Sequence, residues 1–389
     1  MLFFFMQTEA KPRIAMVAGE ASGDLLSSLV IPGLKAHFPH LTMQGIGGPR
    51  MKALGFEAWW PQEKLAVRGY VEVLRHYREI TSIRRSLLQR LLDKPPSLFI
   101  GVDAPDFNLD LAYSLKQKGI STVQFVCPSV WAWRADRLAK IRRSVDQVWC
   151  LFPFEPALLN RHGIAATYVG HPLASTIPMS PNKASSRQSL GLTENQTVIA
   201  LLPGSRTSEI AHMAPRFWAA ACLLEKKYPK ATFVMPVAPG LMPLVNRLRS
   251  QNALPSSLLV LNGQSHSALA ASDAAMVASG TATLEAALFK CPMVIAYHMP
   301  WLSWQIMRSK RLQPWVGLPN ILCEDFVVPE LLQDQATPQA LSDAVVQWLT
   351  DPGAVKKMIS RFEFLHELLI QDTSDLVTHA VEQIIAVHA

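Results

Sequence analysis

The chain has 389 residues, 49% of them hydrophobic and 17% charged, and a net charge of +7. These values exclude a disordered or fibrous chain, suit about two globular domains, and favour anionic partners: nucleic acid, a membrane surface or an anionic substrate. The five cysteines (Cys127, Cys150, Cys222, Cys291 and Cys323) are scattered without a CxxC pair, so neither a disulfide framework nor a zinc site is expected, and a reducing cytosol fits best.

In chain order, MLFFFM is apolar, lacks a basic leader and runs into Gln7, Thr8 and Glu9. It is expected to be a disordered end or a short membrane-touching tip rather than a secretory signal. RIAMVAG, from Arg13, then reads as a strand, EASGD as a turn and LLSSLVIPGLKAHF as a helix with an internal proline. The same unit recurs as LTMQGIGG before PRMKAL, SLFIGVD before NLDLAYSLKQKG, STVQFVCP before RADRLAKIRRS, and QVWCLF before PALLNRHG. Continuous apolar runs predict parallel strands covered on both faces.

A shift to Pro, Ser, Asn and Thr suggests a linker over 176–195, between a first domain at 1–175 and a second at 196–365. TVIALLPGSR, ATFVMPV, LLVLNG, DAAMVASG and PMVIAY supply the second set of strands. Within 366–389, DLVTHAVEQIIAV is an amphipathic helix that either returns to the first domain or supports self-association into a homo-oligomer. The expected fold class is α/β: two doubly wound, Rossmann-like parallel-sheet domains facing across a cleft, with ligands beyond the carboxyl ends of the strands. No segment is apolar for long enough to cross a bilayer.

Three glycine-bearing turns join a strand to a helix: Gly19 to Gly23, Pro203 to Arg206, and Ser279 to Thr281. Glycine allows close approach of backbone to ligand, and helix-start N–H groups attract anions. In the second, Arg206 adds a cationic fork beside Gly204 and Ser205, and Glu209 follows at helical spacing, able to orient it or meet a sugar hydroxyl. In the third, Ser279, Thr281 and Thr283 offer hydroxyls around Gly280, with Glu285 four residues after Thr281 on the same helix face. This set suits a diphosphate joined to a ribose. Neither GxxxxGK[ST] nor GxGxxG occurs.

LFIGVDAPDFN places Asp103 and Asp106 around a proline where a buried strand should end. Either is a candidate base; Asp106 is also suited to capping the helix that follows.

The motifs VAGEASGD, GIGGPRM, GVDAPDFN, PSVWAWR, VGHPL, LLPGSR, ASGTATLE, KCPMVIAY and GLPNIL run in order from Val17 to Leu322. With them the chain resembles the lipid-A-disaccharide synthase family of nucleotide-sugar glycosyltransferases. It departs at Cys127, where the family often has serine, and in the extra MLFFFM. The resemblance implies the glycosyltransferase-B architecture and an inverting transfer of 2,3-diacylglucosamine from UDP-2,3-diacylglucosamine to the 6-hydroxyl of 2,3-diacylglucosamine 1-phosphate. It also implies Asp103 as catalytic base, Glu285 on the ribose and Asn320 on the pyrophosphate side. Glu20, Ser22 and Gly23 would lie beside acceptor or transferred sugar.

UDP leaves as a stabilised anion, so Arg206 and the N–H groups of Gly204, Ser205, Gly280 and Thr281 are expected to suffice without a metal or other cofactor. No DxD pair occurs.

Acylated substrates require a membrane encounter. Between Leu65 and Leu92, apolar residues alternate with arginines, and Arg68, Val71, Leu74, Arg75 and Arg78 are the expected contacts with the anionic cytoplasmic face of an inner membrane. The protein is therefore expected to be cytoplasmic and peripherally membrane-bound. A second basic run, Arg134 to Arg143, follows Trp131 and Trp133, read as core anchors. No stacking platform or helix-turn-helix accompanies the basic stretches, so nucleic acid is not an expected partner. His171 is read as fixing the hinge. The competing functions are a UDP-sugar epimerase of the same fold and a non-catalytic carrier of lipid-linked sugars.

Overall fold

The structure, a computed structural model, describes residues 12–65, 70–132 and 135–386, and at residues 21, 63, 70–77, 302, 303 and 306 the backbone alone. MLFFFM, Trp133, Arg134 and Arg68 lie outside the described residues. The chain forms two compact units. The first comprises the chain to Val130, Arg134–Ser175 and Leu369–Ala389; the second comprises Trp131–Trp133 and Thr176–Leu368.

The first unit is built on seven strands: β1 (Arg13–Ala18), β2 (Thr42–Gly47), β3 (Glu57–Pro61), β4 (Leu98–Val102), β5 (Ser121–Phe125), β6 (Gln147–Cys150) and β7 (Ala166–Tyr168). They are ordered β3-β2-β1-β4-β5-β6-β7, all parallel. Strand order reverses between β1 and β4, the switch point at which doubly wound sheets bind ligands. Every residue of β4 and β5 is buried, the two-faced burial that their unbroken apolar runs predict.

The second unit has six parallel strands: β8 (Val198–Leu202), β9 (Thr232–Val237), β10 (Leu258–Asn262), β11 (Ala274–Ala278), β12 (Met293–Tyr297) and β13 (Glu330–Leu332). Their order is β10-β9-β8-β11-β12-β13, with the switch point between β8 and β11. Its core includes Phe217, Trp218 and Phe233, all at 0% exposure.

Four helices of the first unit matter for the site: α1 (Ala21–His37), α2 (Pro49–Ala53), α3 (Tyr70–Asp93) and α4 (Pro105–Lys116). The last helix of the chain, Thr373–Ala386, packs on α1, with Val377 and Val381 in the same core as Val30, Ile31 and Leu34. Gly33 permits this close approach, because a Cβ there would stand 2.0 Å from Ser374 Oγ. The apolar stripe of the final helix is thus covered within its own chain.

The stretch expected as a linker is part of the second unit. It contains the helix Lys183–Ser189, whose Arg187 is 5% exposed, donating through Nε to the Ala271 carbonyl at 2.9 Å and pairing through Nη2 with Asp273 at 2.9 Å. Asp273 also accepts from the Val198 amide at 2.8 Å. The Ala271 and Glu194 carbonyls and the Asp273 carboxylate together satisfy this buried cation. Among the described residues, no helix is long and apolar enough to cross a membrane.

Candidate active site

Asp103 stands one residue beyond β4, at the switch point of the first sheet, next to the strand-to-helix turn of β1. Its carboxylate is half-buried and accepts a hydrogen bond from Ser22 Oγ at 3.3 Å. The turn is strained: Asp103 and Ala104 have φ of 51° and 40°, and Val126, just past the neighbouring β5, has φ of 76°. A β-branched residue is a genuine outlier there, and such strain clusters at functional sites.

Hydrogen bonds hold the turn in place. Asn108 Nδ2 donates to the Asp103 carbonyl at 2.8 Å and Gln124 Nε2 donates to the same oxygen at 3.0 Å. Asn108 is fully buried and also reaches the Val17 and Val102 carbonyls, each at 3.3 Å, so one amide ties together the ends of β1 and β4. Gly101 is required beneath it: a Cβ there would meet Asn108 Cβ at 2.7 Å.

Asp106 does not cap α4. The N-cap is Ala104, without a side-chain cap bond, and Pro105 opens the helix. The Asp106 carboxylate, 82% exposed, receives both contacts from Arg137 Nη2, at 2.6 and 2.7 Å. A capping side chain stands just before the helix and accepts from the amides two or three residues on, and Asp106 already lies inside the first turn.

The turn after β1 brings Glu20, Ser22 and Gly23 to the same sheet end. Glu20 is the extended N-cap of α1, half-buried, and Gly23 packs against Ala18 and the Val102 carbonyl. The last residue of this motif, Asp24, is 2% exposed and accepts from the amides of Gly48, Arg50 and Met51 at 3.0, 3.1 and 3.0 Å. It fastens GIGGPRM to VAGEASGD by neutralising the start of α2. A lone acid inside an otherwise apolar helix was the signal available in the sequence.

In the second unit, the turn after β8 adopts a shape that only glycine suits at Gly204, with φ of 117° and an added Cβ 2.5 Å from Glu209 Cβ. Glu209, 8% exposed, takes the Ser205 amide on Oε2 at 3.0 Å and Arg206 Nη1 on Oε1 at 2.7 Å. The Ser205 N–H, expected to face phosphate, is therefore already donated, and Glu209 acts as the orienting group rather than a sugar contact. The Arg206 side chain is 40% exposed.

Beyond β11, Gly280 is the N-cap of the helix Thr281–Leu288, with φ of 154° and ψ of −164°, a region reserved for glycine. Gly280 and Thr281 are exposed and Ser279 is half-buried. Thr283 is fully buried and donates its hydroxyl to the Gly280 carbonyl at 2.8 Å, so it closes the turn and does not offer a hydroxyl to a ligand. Glu285 is 17% exposed and lies 3.5 Å from His266 Nε2, a neighbour that spacing along the chain does not reveal.

Asn320 departs most from expectation. It is fully buried; its Nδ2 donates to the Val328 carbonyl and to Glu330 Oε1, both at 2.9 Å, and its Oδ1 accepts from the Val328 amide at 3.0 Å. Glu330 also accepts from the Val316 and Gly317 amides, at 2.9 and 2.8 Å. GLPN is a clip that Glu330 locks to the edge strand, and both protons of the Asn320 amide are spent within it.

His171 is 3% exposed; its amide donates to the Leu369 carbonyl at 3.1 Å, which joins the outgoing and returning segments of the chain within the first unit. Burial pushes its imidazole down to about 4. The Cys127 thiol is held protonated by a bond with Cys150, by burial and by the nearby Glu155, so it is no nucleophile.

Of the expected membrane contacts, Val71, Leu74 and Arg75 lie on α3 where only the backbone is described, and Arg78 is exposed. Farther along α3, Ile83, Leu87 and Leu91 are buried, Arg84 pairs with Asp110 at 2.7 Å and Arg90 stacks over Trp59 at 4.0 Å. This half of α3 is packed on the fold. Trp131 is 8% exposed, as a core anchor would be.

Two kinds of similarity bear on this geometry. Residues 14–384 match the family model described as lipid-A-disaccharide synthetase. Curated relatives include the lipid-A-disaccharide synthases of Albidiferax ferrireducens, 57% identical over 96% of this chain and 97% of that one, and of Verminephrobacter eiseniae, 53% identical over 97% and 98%. Among solved structures, the Neisseria meningitidis UDP-GlcNAc 2-epimerase bound to UDP-GlcNAc superposes with a TM-score of 0.60 at 13% identity, covering 95% of this chain and 100% of that one. The calicheamicin glycosyltransferase CalG4 gives 0.61 at 17%, covering 97% and 99%. At those identities the structural likeness shows a shared glycosyltransferase-B fold and does not choose between epimerase and transferase. The full-length family match makes that choice, and the chain belongs to the lipid-A-disaccharide synthase family of UDP-sugar glycosyltransferases.

Proposed function

We propose that the protein transfers 2,3-diacylglucosamine from UDP-2,3-diacylglucosamine to the 6-hydroxyl of 2,3-diacylglucosamine 1-phosphate, forming the β-1,6 disaccharide 1-phosphate and UDP. The observation that carries this reading is the half-buried Asp103 carboxylate beside Ser22 at the switch point, in a chain of this family. Asp103 removes the proton from the acceptor hydroxyl as its oxygen attacks the anomeric carbon. The bond from that carbon to the diphosphate oxygen breaks on the opposite face, inverting the centre, and the electron pair leaves with UDP. Ser22 keeps the carboxylate aimed.

Arg206, held by Glu209, and the helix start at Gly280 and Thr281 face the charge that grows on the leaving diphosphate. Glu285 accepts from the ribose hydroxyls. Metal independence belongs to the proposal, since the cationic fork and the backbone donors supply the stabilisation that a cation would. Work at the cytoplasmic face of an anionic membrane follows from the acylated substrates, with Arg78 and the neighbouring turn of α3 as contact.

The test is UDP release from UDP-2,3-diacylglucosamine in detergent micelles containing EDTA, with and without the acceptor. Acceptor-dependent release with formation of a disaccharide phosphate supports the reading. Conversion of the UDP-sugar without acceptor indicates an epimerase, and binding without UDP release indicates a carrier.

A further inference from the structure

The proposed acceptor carries a phosphate monoester as well as the hydroxyl that Asp103 deprotonates, whereas Arg206 and the helix start at Gly280 and Thr281 serve the donor's diphosphate. A phosphate brought to a half-buried site needs a cation beside it. In 2,3-diacylglucosamine 1-phosphate, the hydroxymethyl group that ends in the 6-hydroxyl and the phosphate sit on the two carbons that flank the ring oxygen. A hydroxyl held at Asp103 therefore leaves the phosphate within one sugar's width of that carboxylate.

Arg137 is the cation that the first unit offers there. It ends the turn Ala135–Arg137 and lies against the first turn of α4, which Pro105 opens two residues after Asp103. Its side chain is 11% exposed, against 82% for Asp106. Both contacts with Asp106 come from Nη2, which leaves the N–H groups of Nε and Nη1 without a partner among the described residues. Neither nitrogen is sealed from solvent. Arg84 and Lys140, by contrast, both pair with Asp110, one turn farther along α4, and Lys116 pairs with Asp146.

We infer that Arg137 is the subsite for the acceptor's phosphate monoester, its Nε and Nη1 groups donating to phosphate oxygens, and that it selects phosphorylated over unphosphorylated acceptor. The inference rests on the proposed reaction for the identity of the sugar, and on the unspent donors of Arg137 for the phosphate. A guanidinium is permanently charged and weakly hydrated, so it suits an anion in a half-buried place better than an ammonium does.

The experiment is calorimetric titration of the full-length protein, in uncharged detergent micelles, with 2,3-diacylglucosamine 1-phosphate and with 2,3-diacylglucosamine. Wild type is expected to bind the phosphorylated compound about 10- to 100-fold more tightly, as charge-assisted hydrogen bonds would provide. Arg137→Gln is expected to erase that preference and to keep the wild-type affinity for the unphosphorylated compound, which also shows that the first unit is folded. Arg137→Lys, with the charge but not the planar donors, is expected to recover part of the preference. In turnover, the loss in Arg137→Gln should fall on the acceptor KM rather than on kcat.

Equal affinity for the two compounds in wild type overturns the inference, as does a preference that survives in Arg137→Gln. Loss of both compounds alike in Arg137→Gln and Arg137→Lys makes the residue structural and overturns it too. Phosphatidylglycerol mixed into the micelles is the last arm: if it displaces the phosphorylated compound from wild type but not from Arg137→Gln, the arginine meets a phosphodiester headgroup instead. Because binding is read without turnover, an Arg137-dependent phosphate preference beside absent UDP release would sink the proposed reaction and leave this subsite standing.

Discussion

Replacing Asp103 by Asn separates chemistry from folding at this position. Asp103 has φ of 51°, and Asn enters the left-handed region as readily as Asp, whereas Ala there would cost about 1–2 kcal/mol. The amide retains an oxygen for Ser22 Oγ, now 3.3 Å away, and the Asp103 carbonyl, held by Asn108 and Gln124, is untouched. Stability should therefore stay within about 0.5 kcal/mol of wild type. What disappears is the proton acceptor, worth about 10²–10⁴ in kcat, or about 3–5 kcal/mol of barrier. The assay is acceptor-dependent UDP release at saturating substrates, beside Asp106→Asn. The second variant loses only the exposed pair with Arg137 and should turn over near the wild-type rate. If Asp103→Asn keeps more than about a tenth of the wild-type kcat, or if Asp106→Asn falls as far, Asp103 is not the base.

Glu209→Gln should weaken the hold on Arg206 and the Ser205 amide, lowering kcat/KM for the UDP-sugar about tenfold, since a charge-assisted bond is worth about 1.5–3 kcal/mol; an unchanged kcat/KM would show that Glu209 orients nothing of consequence. Asn320→Ala should destabilise the protein by about 3 kcal/mol in urea denaturation, because it orphans both polar groups of Val328 and removes one of the donors to Glu330. Unchanged stability with a raised donor KM would instead return Asn320 to the ligand. The His171 imidazole, at about 4 when folded against 6.5 unfolded, binds fewer protons folded than unfolded between these values. Its contribution is present above pH 6.5 and lost as pH falls towards 4, about 3 kcal/mol in total; His171→Asn should flatten that slope in denaturation curves taken across the window.

Much of the fold was legible because parallel sheets covered on both faces write themselves as unbroken apolar runs, as in Leu98 to Val102 and Val198 to Leu202. Strand ends followed by glycine or by an acid then located the turns at both switch points. The stretch 176–195 was not legible as part of the second unit. Its anchoring depends on a buried Arg187 meeting Asp273, 86 residues away, and local composition carries no trace of such a partner. His266 beside Glu285 was hidden for the same reason: the two come together only once β10 and β11 occupy opposite arms of the same sheet.

The site residues divide on a physical criterion that the sequence could not supply. Asn320, Thr283, Glu209 and Asp24 are all polar, all inside or just after motifs and all at most 8% exposed, and each spends its hydrogen bonds on the backbone or side chains of the loop around it. Asp103, Arg206, Thr281 and Glu285 keep part of their polar surface open. A loop that must hold an anion near strained backbone needs internal acceptors and donors as well as external ones, and both draw on the same residue types. Motifs such as GLPN and EASGD therefore specify the shape of the turn at least as much as the contact with the ligand. It follows that replacing a buried member should move stability first and the kinetic constants second, while replacing an open member should do the reverse. Asn320→Ala and Asp103→Asn, measured side by side for both quantities, put that division to the test.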